Sequence, residues 1–226
     1  FNPLGIRYEV FDNHASYGEI AEIADGRPVV FRHGYAVAAK YAFYTGEEAY
    51  CQPNIRYRTH QWQFRDDDTR FAGREVLVET PYDEADTTGR VRSVVLPNGK
   101  RFTWFVDPHF HPTRLVDITF TGLPEQVAAG DTLRLSLRID NPYPYNIDLG
   151  GDMSLVMLWK HGRFRVKEFD TGERFRIPAE EEIRREVVFV VPRQLAGTDF
   201  DAGFALRREG YTNWFNGKPL RTEVAR

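Results

Sequence analysis

Leu133-Arg134-Leu135-Ser136-Leu137-Arg138-Ile139-Asp140 alternates apolar and polar residues without a break. Side chains of a β-strand point to opposite faces with a period of two. This register therefore sets Leu133, Leu135, Leu137 and Ile139 on a buried face and leaves the arginines, Ser136 and Asp140 in solvent. A helix would scatter the same four apolar residues around its circumference.

Further strand candidates recur on both sides: Leu115–Phe120, Leu155–Trp159, Phe164–Glu168, Arg185–Val191 and Phe204–Arg208, with Gly, Pro or Asp between them. This is the layout of an antiparallel β-sandwich of immunoglobulin-like character. Upstream, Val91–Leu96 and Phe102–Val106 flank Pro97-Asn98-Gly99-Lys100, and Asn-Gly between two apolar runs signals a hairpin. Before Pro81 the pattern changes. Tyr17, Ile20, Ala21, Ile23 and Ala24 fall at helical spacing, with Ser16 as N-cap and Gly26 as stop. Pro28-Val29-Val30-Phe31 reads as a short buried strand. Gly34 then introduces a second helix, with Tyr35, Ala38, Ala39, Ala42 and Phe43 on its apolar side, and Gly46 ends it. With a further strand at Glu75–Val78, these segments predict a small layered α/β unit with a partly parallel sheet. The expected fold class is α+β with two domains: an α/β lobe with a β-hairpin over residues 1–110, and the sandwich over 111–226.

Composition narrows the function. In 226 residues, 42% are apolar, 28% are charged and the net charge is −3. Acids and bases are mixed along the chain, so no basic stripe awaits nucleic acid. No apolar run of about 18 residues is present to span a bilayer. The single cysteine, Cys51, excludes an internal disulfide. The chain begins Phe1-Asn2-Pro3, which reads as a segment of a longer protein.

Three stretches carry a family resemblance: Gly26-Arg27-Pro28-Val29-Val30-Phe31, Tyr35-Ala36-Val37-Ala38-Ala39-Lys40-Tyr41-Ala42-Phe43-Tyr44-Thr45-Gly46, and Tyr57-Arg58 with Gln61-Trp62. Over roughly residues 5–107 the chain resembles the soluble region that follows the last membrane helix of certain bacterial integral-membrane glycosyltransferases. These are the relatives of protein O-mannosyltransferases and aminoarabinose transferases that use polyprenyl-phosphate sugars as donors. The resemblance implies a periplasmic or extracytoplasmic location, tethered to the membrane-embedded part of the same polypeptide as its partner. The family's catalytic carboxylate and lipid-phosphate contacts belong to the membrane-embedded part and its first external loop, so no catalytic residue is carried over and no cofactor is expected. The implied role is that of a non-catalytic accessory domain, with a glycan or glycolipid as candidate ligand. The alternative is a freestanding carbohydrate-binding or protein-interaction module.

Candidate binding residues come from the residues themselves. Tyr57, Arg58, His60, Trp62 and Arg65 cluster aromatic faces with planar donors, the combination that stacks on a sugar ring and fixes its orientation. The competing reading is that these rings pack in a core. Tyr211, Trp214 and Phe215 in the segment 210–217 form a second aromatic and amide group, equally suited to plugging the end of a sandwich. Asp66-Asp67-Asp68 has the Asp-x-Asp spacing of a divalent-cation site, but Arg65 and Arg70 flank it and a solvated loop is the commoner outcome. His109 and His111 would point to one side of an extended segment beside Asp107, although Pro108 and Pro112 bracket them. No metal is assigned to either group. The turn Arg32-His33-Gly34 offers backbone donors to an anion at a helix start. Cys51 has no base assigned to it, and no serine lies in a Gly-x-Ser-x-Gly elbow.

Overall fold

The structure, a computed structural model, describes residues 9–32, 34–57, 60–64, 68–80 and 90–225. It is mostly β, with two α-helices among the described residues. The chain divides into two compact units, one of residues 1–53 with 59–112 and the other of residues 54–58 with 113–226.

The first unit runs α1 (Glu9–Ala24), β1 (Val29–Phe31), α2 (Tyr35–Thr45), β2 (Ala49–Cys51), β3 (Val76–Glu79), β4 (Arg92–Val95) and β5 (Arg101–Asp107). Its sheet has the order β2-β1-β3-β5-β4. Strand β1 lies parallel to both β2 and β3, with Val29 opposite Ala49 and Leu77, while β5 is antiparallel to β3 and β4. Strands β1 and β2 are buried along their whole length, as continuous apolar runs such as Val29-Val30-Phe31 require. Tyr17, Ile20, Ala24, Ala38 and Tyr41 from the helices join Val29, Phe31, Ala49, Cys51, Leu77 and Phe102 in one core.

Three local expectations change. Helix α1 already includes Glu9, so Ser16 lies inside it and is no cap; the buried Ser16 Oγ accepts the Asn98 N–H at 3.1 Å. Phe43 is 82% exposed, because the face of α2 turned to the core carries Ala38 and Tyr41, and Phe43 falls outside that stripe. Strand β2 is an addition to the reading above, its three residues being too short a run to show a period. Helix α2 does stop at Gly46, whose φ of 75° lets its N–H reach Ala42 O at 2.9 Å.

The second unit contains β6 (Asp117–Thr121), β7 (Gln126–Ala128), β8 (Thr132–Asp140), β9 (Ile147–Asp148), β10 (Met153–His161), β11 (Arg165–Asp170), β12 (Arg176–Ile177), β13 (Glu182–Val190), β14 (Thr198–Arg208) and β15 (Leu220–Ala225). One sheet has the order β13-β8-β6, a second β11-β10-β14-β15-β7, and β12 pairs with β9. All pairings are antiparallel except β15 with β7. The burial of β8 alternates strictly along its nine residues, with Leu133, Leu135, Leu137 and Ile139 inside. They form one core with Ile118, Phe120, Val187 and Phe189 of their own sheet and Leu155, Met157, Trp159, Phe204 and Leu206 of the other. Burying each such aliphatic side chain contributes roughly 1.5–3 kcal/mol. Residues on the outer face of β8 make ion pairs along the sheet, Arg134 with Glu186 and Arg138 with Glu182, both at 3.1 Å.

Candidate functional site

In the first unit, the parallel strands β2-β1-β3 bring the residues just beyond their carboxyl ends together. The chain leaves β1 towards β2 through α2, and β3 lies on the other side of β1. The carboxyl ends of β1 and β3 thus flank a topological switch point, the place where open α/β sheets bind ligands. Arg32 follows β1, Gln52 follows β2, and Glu79 ends β3. The Gln52 N–H extends the ladder to Phe31 O at 2.9 Å, and Glu79 Oε2 accepts the Arg32 N–H at 2.9 Å. Although Glu79 retains part of its surface, burial pushes its carboxyl pKa up, against the opposing pull of the Arg32 N–H and the Arg32 charge.

The same edge holds Cys51 and His60. The sulfur lies 3.6 Å from His60 Nε2, and the Tyr35 ring lies beside the imidazole with centroids 6.0 Å apart. A cysteine beside a histidine suggests a nucleophile, but the electrostatics here are the reverse of an activated pair. Burial, with Glu79 adding its negative charge, pushes the Cys51 thiol up to about 12. Burial also holds the His60 imidazole below its ordinary value, although a hydrogen bond with the Gln52 backbone pulls the other way. Both groups are therefore neutral at pH 7, whereas a reactive cysteine needs a thiolate stabilised by positive charge.

The residues singled out from the sequence disperse. Tyr57 belongs to the second unit, where the Arg163 guanidinium lies over its ring, 5.9 Å from the centroid. His60 is buried beside Cys51, and Trp62 packs edge-on against Tyr50 with centroids 6.2 Å apart. Arg58 and Arg65 lie outside the described residues. Asp66 and Asp67 also lie outside them, while Asp68 is fully buried. His109 and His111 are exposed on either side of buried Phe110, and Asp107 Oδ1 accepts the His109 N–H at 3.1 Å. Among the described residues no three histidine, cysteine, aspartate or glutamate side chains gather in a metal-binding group. The turn at Arg32 behaves differently from an anion cradle, because its N–H already serves the Glu79 carboxyl.

The segment 210–217 locks the second unit together. Phe215 packs against Val156, Leu158 and Ala205. Asn216, only 1% exposed, donates from Nδ2 to Thr113 O at 2.7 Å and Val116 O at 3.1 Å, and its Oδ1 accepts the Leu206 N–H at 2.9 Å. The neighbouring Gly217 has φ 131°, and a Cβ there would lie 2.2 Å from Ile118 O.

Sequence reading named Arg32, His60 and Cys51 separately; what it missed is Gln52, Glu79 and the grouping of all five at one sheet edge. Its one available signal was the strand ends themselves, since the carboxyl edge of a parallel sheet is where polar residues collect.

No protein-family model matches the chain, and no curated protein matches it. Two solved structures show distant likeness. The sporulation control protein Spo0M from Bacillus subtilis is 13% identical with a TM-score of 0.31, covering 50% of this chain and 50% of that one. A β-glucosidase from Listeria innocua, in complex with isofagomine, is 13% identical with a TM-score of 0.29, covering 66% of this chain and 21% of that one. The chain thus spans half of the first and about a fifth of the second, and neither likeness carries an argument about its fold or activity.

Proposed function

We propose that the chain is a non-catalytic extracytoplasmic accessory region of an integral-membrane glycosyltransferase that uses polyprenyl-phosphate sugars, and that it meets a glycan or glycolipid acceptor at the carboxyl edge of its parallel sheet. The observation that carries this reading is where the resembling residues fall. Val29, Val30, Phe31, Ala38 and Tyr41, from the first two stretches, are fully buried on β1 and α2. In this reading the first two stretches are packing residues of one lobe. Its membrane-embedded partner is the remainder of the same polypeptide.

The chemistry of the edge favours a polyhydroxylated ligand. Arg32, Gln52 and Glu79 carry the donors and acceptors that hydroxyl groups pair with, and Tyr35, whose ring lies beside His60, carries an aromatic face of the kind that covers the apolar side of a sugar. A phosphate would meet the Glu79 carboxyl at the donor it needs. In this reading the two compact units are two domains, the second an immunoglobulin-like sandwich. Orders β6-β8-β13 and β11-β10-β14-β15 correspond to strands A-B-E and C′-C-F-G, and Trp159 on β10 takes the place of the buried tryptophan of strand C.

The test starts with the reading frame before Phe1. About ten or more apolar stretches of roughly 20 residues support the assignment. A signal peptide directly before Phe1 would refute it and leave a freestanding carbohydrate-binding module. Within the parent enzyme, Gln52→Ala should raise KM for the acceptor and leave KM for the lipid-linked donor unchanged.

A further inference from the structure

The β10–β11 hairpin of the second unit carries Lys160-His161-Gly162-Arg163-Phe164-Arg165-Val166-Lys167. This stretch holds four permanent cations and no acid, in a chain whose net charge is −3. Of the acids on the same sheet, Asp201 lies across from Lys160 on β14, and Glu168, Asp170 and Asp199 are already engaged. Arg207 pairs with Glu168 at 3.0 Å and Asp170 at 3.3 Å, and Asp199 pairs with Arg221 and with His161 at 3.1 Å. Among the described residues none of Lys160, Arg163, Arg165 and Lys167 forms an ion pair. At the tip between the strands Phe164 is 73% exposed, and the Arg163 guanidinium lies over both the Phe164 ring, 5.1 Å from its centroid, and the Tyr57 ring.

A single exposed aromatic is ordinary, and so is a surface arginine. Their conjunction on a two-stranded projection is not, because strand alternation spreads the cations over both faces of the hairpin around one apolar tip. We propose that this hairpin docks on a lipid bilayer bearing anionic phosphate headgroups, with Phe164 entering the interface and the four cations seated among the phosphates. The cations match headgroup charge, and the aromatic tip matches the apolar layer beneath it. This inference rests on the second unit's surface and is independent of the function proposed above.

Sedimentation of the 226-residue chain with vesicles tests it. At low salt the chain should pellet with phosphatidylglycerol-containing vesicles and not with phosphatidylcholine alone, and added salt should release it. Neutralising two cations in Arg163→Gln/Lys167→Gln should weaken binding about 25-fold, at roughly five-fold per charge. Phe164→Ser should weaken it several-fold and keep the salt dependence. All three side chains are exposed, so circular dichroism should show unchanged folds; Arg184→Glu, on β13, serves as the control that binds like the parent chain. Equal pelleting with both lipids, no pelleting at all, or variants that bind like the parent chain would each overturn the proposal. So would release from vesicles by an equal charge concentration of polyglutamate, which would make the surface a dock for acidic protein.

Discussion

Replacing Asn216 by alanine removes three buried hydrogen bonds at once and tests how the second unit is closed. Its side chain satisfies the carbonyls of Thr113 and Val116 and the N–H of Leu206, joining the segment ahead of β6 to β14. Alanine leaves all three backbone groups buried without their side-chain partner. At about 1–1.5 kcal/mol for each lost bond, the cost is about 3–4 kcal/mol. With an m-value of about 1.5 kcal/mol per M for a unit of this size, the urea midpoint of the second unit should fall by about 2 M. Hydrogen exchange localises the effect, because the Leu206 amide should lose protection beyond the global change. Asn216→Asp adds a sign. Its carboxylate would face two carbonyl oxygens in a buried place, so its pKa in the fold should rise above the unfolded value near 3.9. A carboxyl raised in this way is most destabilising above its folded pKa, and the penalty should shrink as pH falls through that value. A midpoint shift below about 0.5 M for Asn216→Ala, with m unchanged, would refute the account of a buried staple.

Other outcomes follow from the same geometry. Gly217→Ala should destabilise the second unit by more than about 3 kcal/mol and yield mostly insoluble chain, since the new Cβ would overlap the Ile118 carbonyl at a φ that L-residues avoid; soluble expression and a thermal melt decide it. The raised Glu79 pKa means that its protonated form suits the fold, so stability contributed there is lost as pH rises from the ordinary value of 4.5 through the folded one. Glu79→Gln, which keeps an acceptor for the Arg32 N–H, should therefore melt higher than the parent chain at pH 7, with the gap closing towards pH 4. Cys51 should resist a thiol reagent at pH 8 in the folded chain and react at once in urea, as its thiol pKa near 12 and full burial require; fast labelling without denaturant would contradict this placement.

The second unit's strands were legible because alternation is a local property. Each apolar residue of Leu133–Ile139 announces its own side of the sheet, and nothing distant is needed to interpret it. The hairpin around Asn98-Gly99 was legible for the same reason: the three-residue loop Pro97-Asn98-Gly99 between paired Leu96 and Lys100 needs one left-handed residue, and Gly99 takes φ 78° there. Strand β7 escaped because its three residues alternate too briefly, and its pairing with β15 joins positions about a hundred residues apart.

The aromatic and arginine group at 57–65 shows the limit of reading by proximity in sequence. Tyr57 and His60 stand three residues apart, yet they belong to different compact units, and Trp62 turns its ring to Tyr50. Conversely, Arg32, Cys51, Gln52 and Glu79 are spread over nearly fifty positions and meet at one sheet edge.

By itself, the sequence determined the β character of the chain after Pro81, the approximate positions of the principal strands and helices and the inward face of β8, because burial period and turn chemistry are encoded residue by residue. Only the tertiary structure decided which strand ends adjoin, that Cys51 faces His60 as a neutral pair, and that Asn216 is a staple and no ligand contact. Those facts depend on parallel pairing and burial, and both are properties of distant segments brought together.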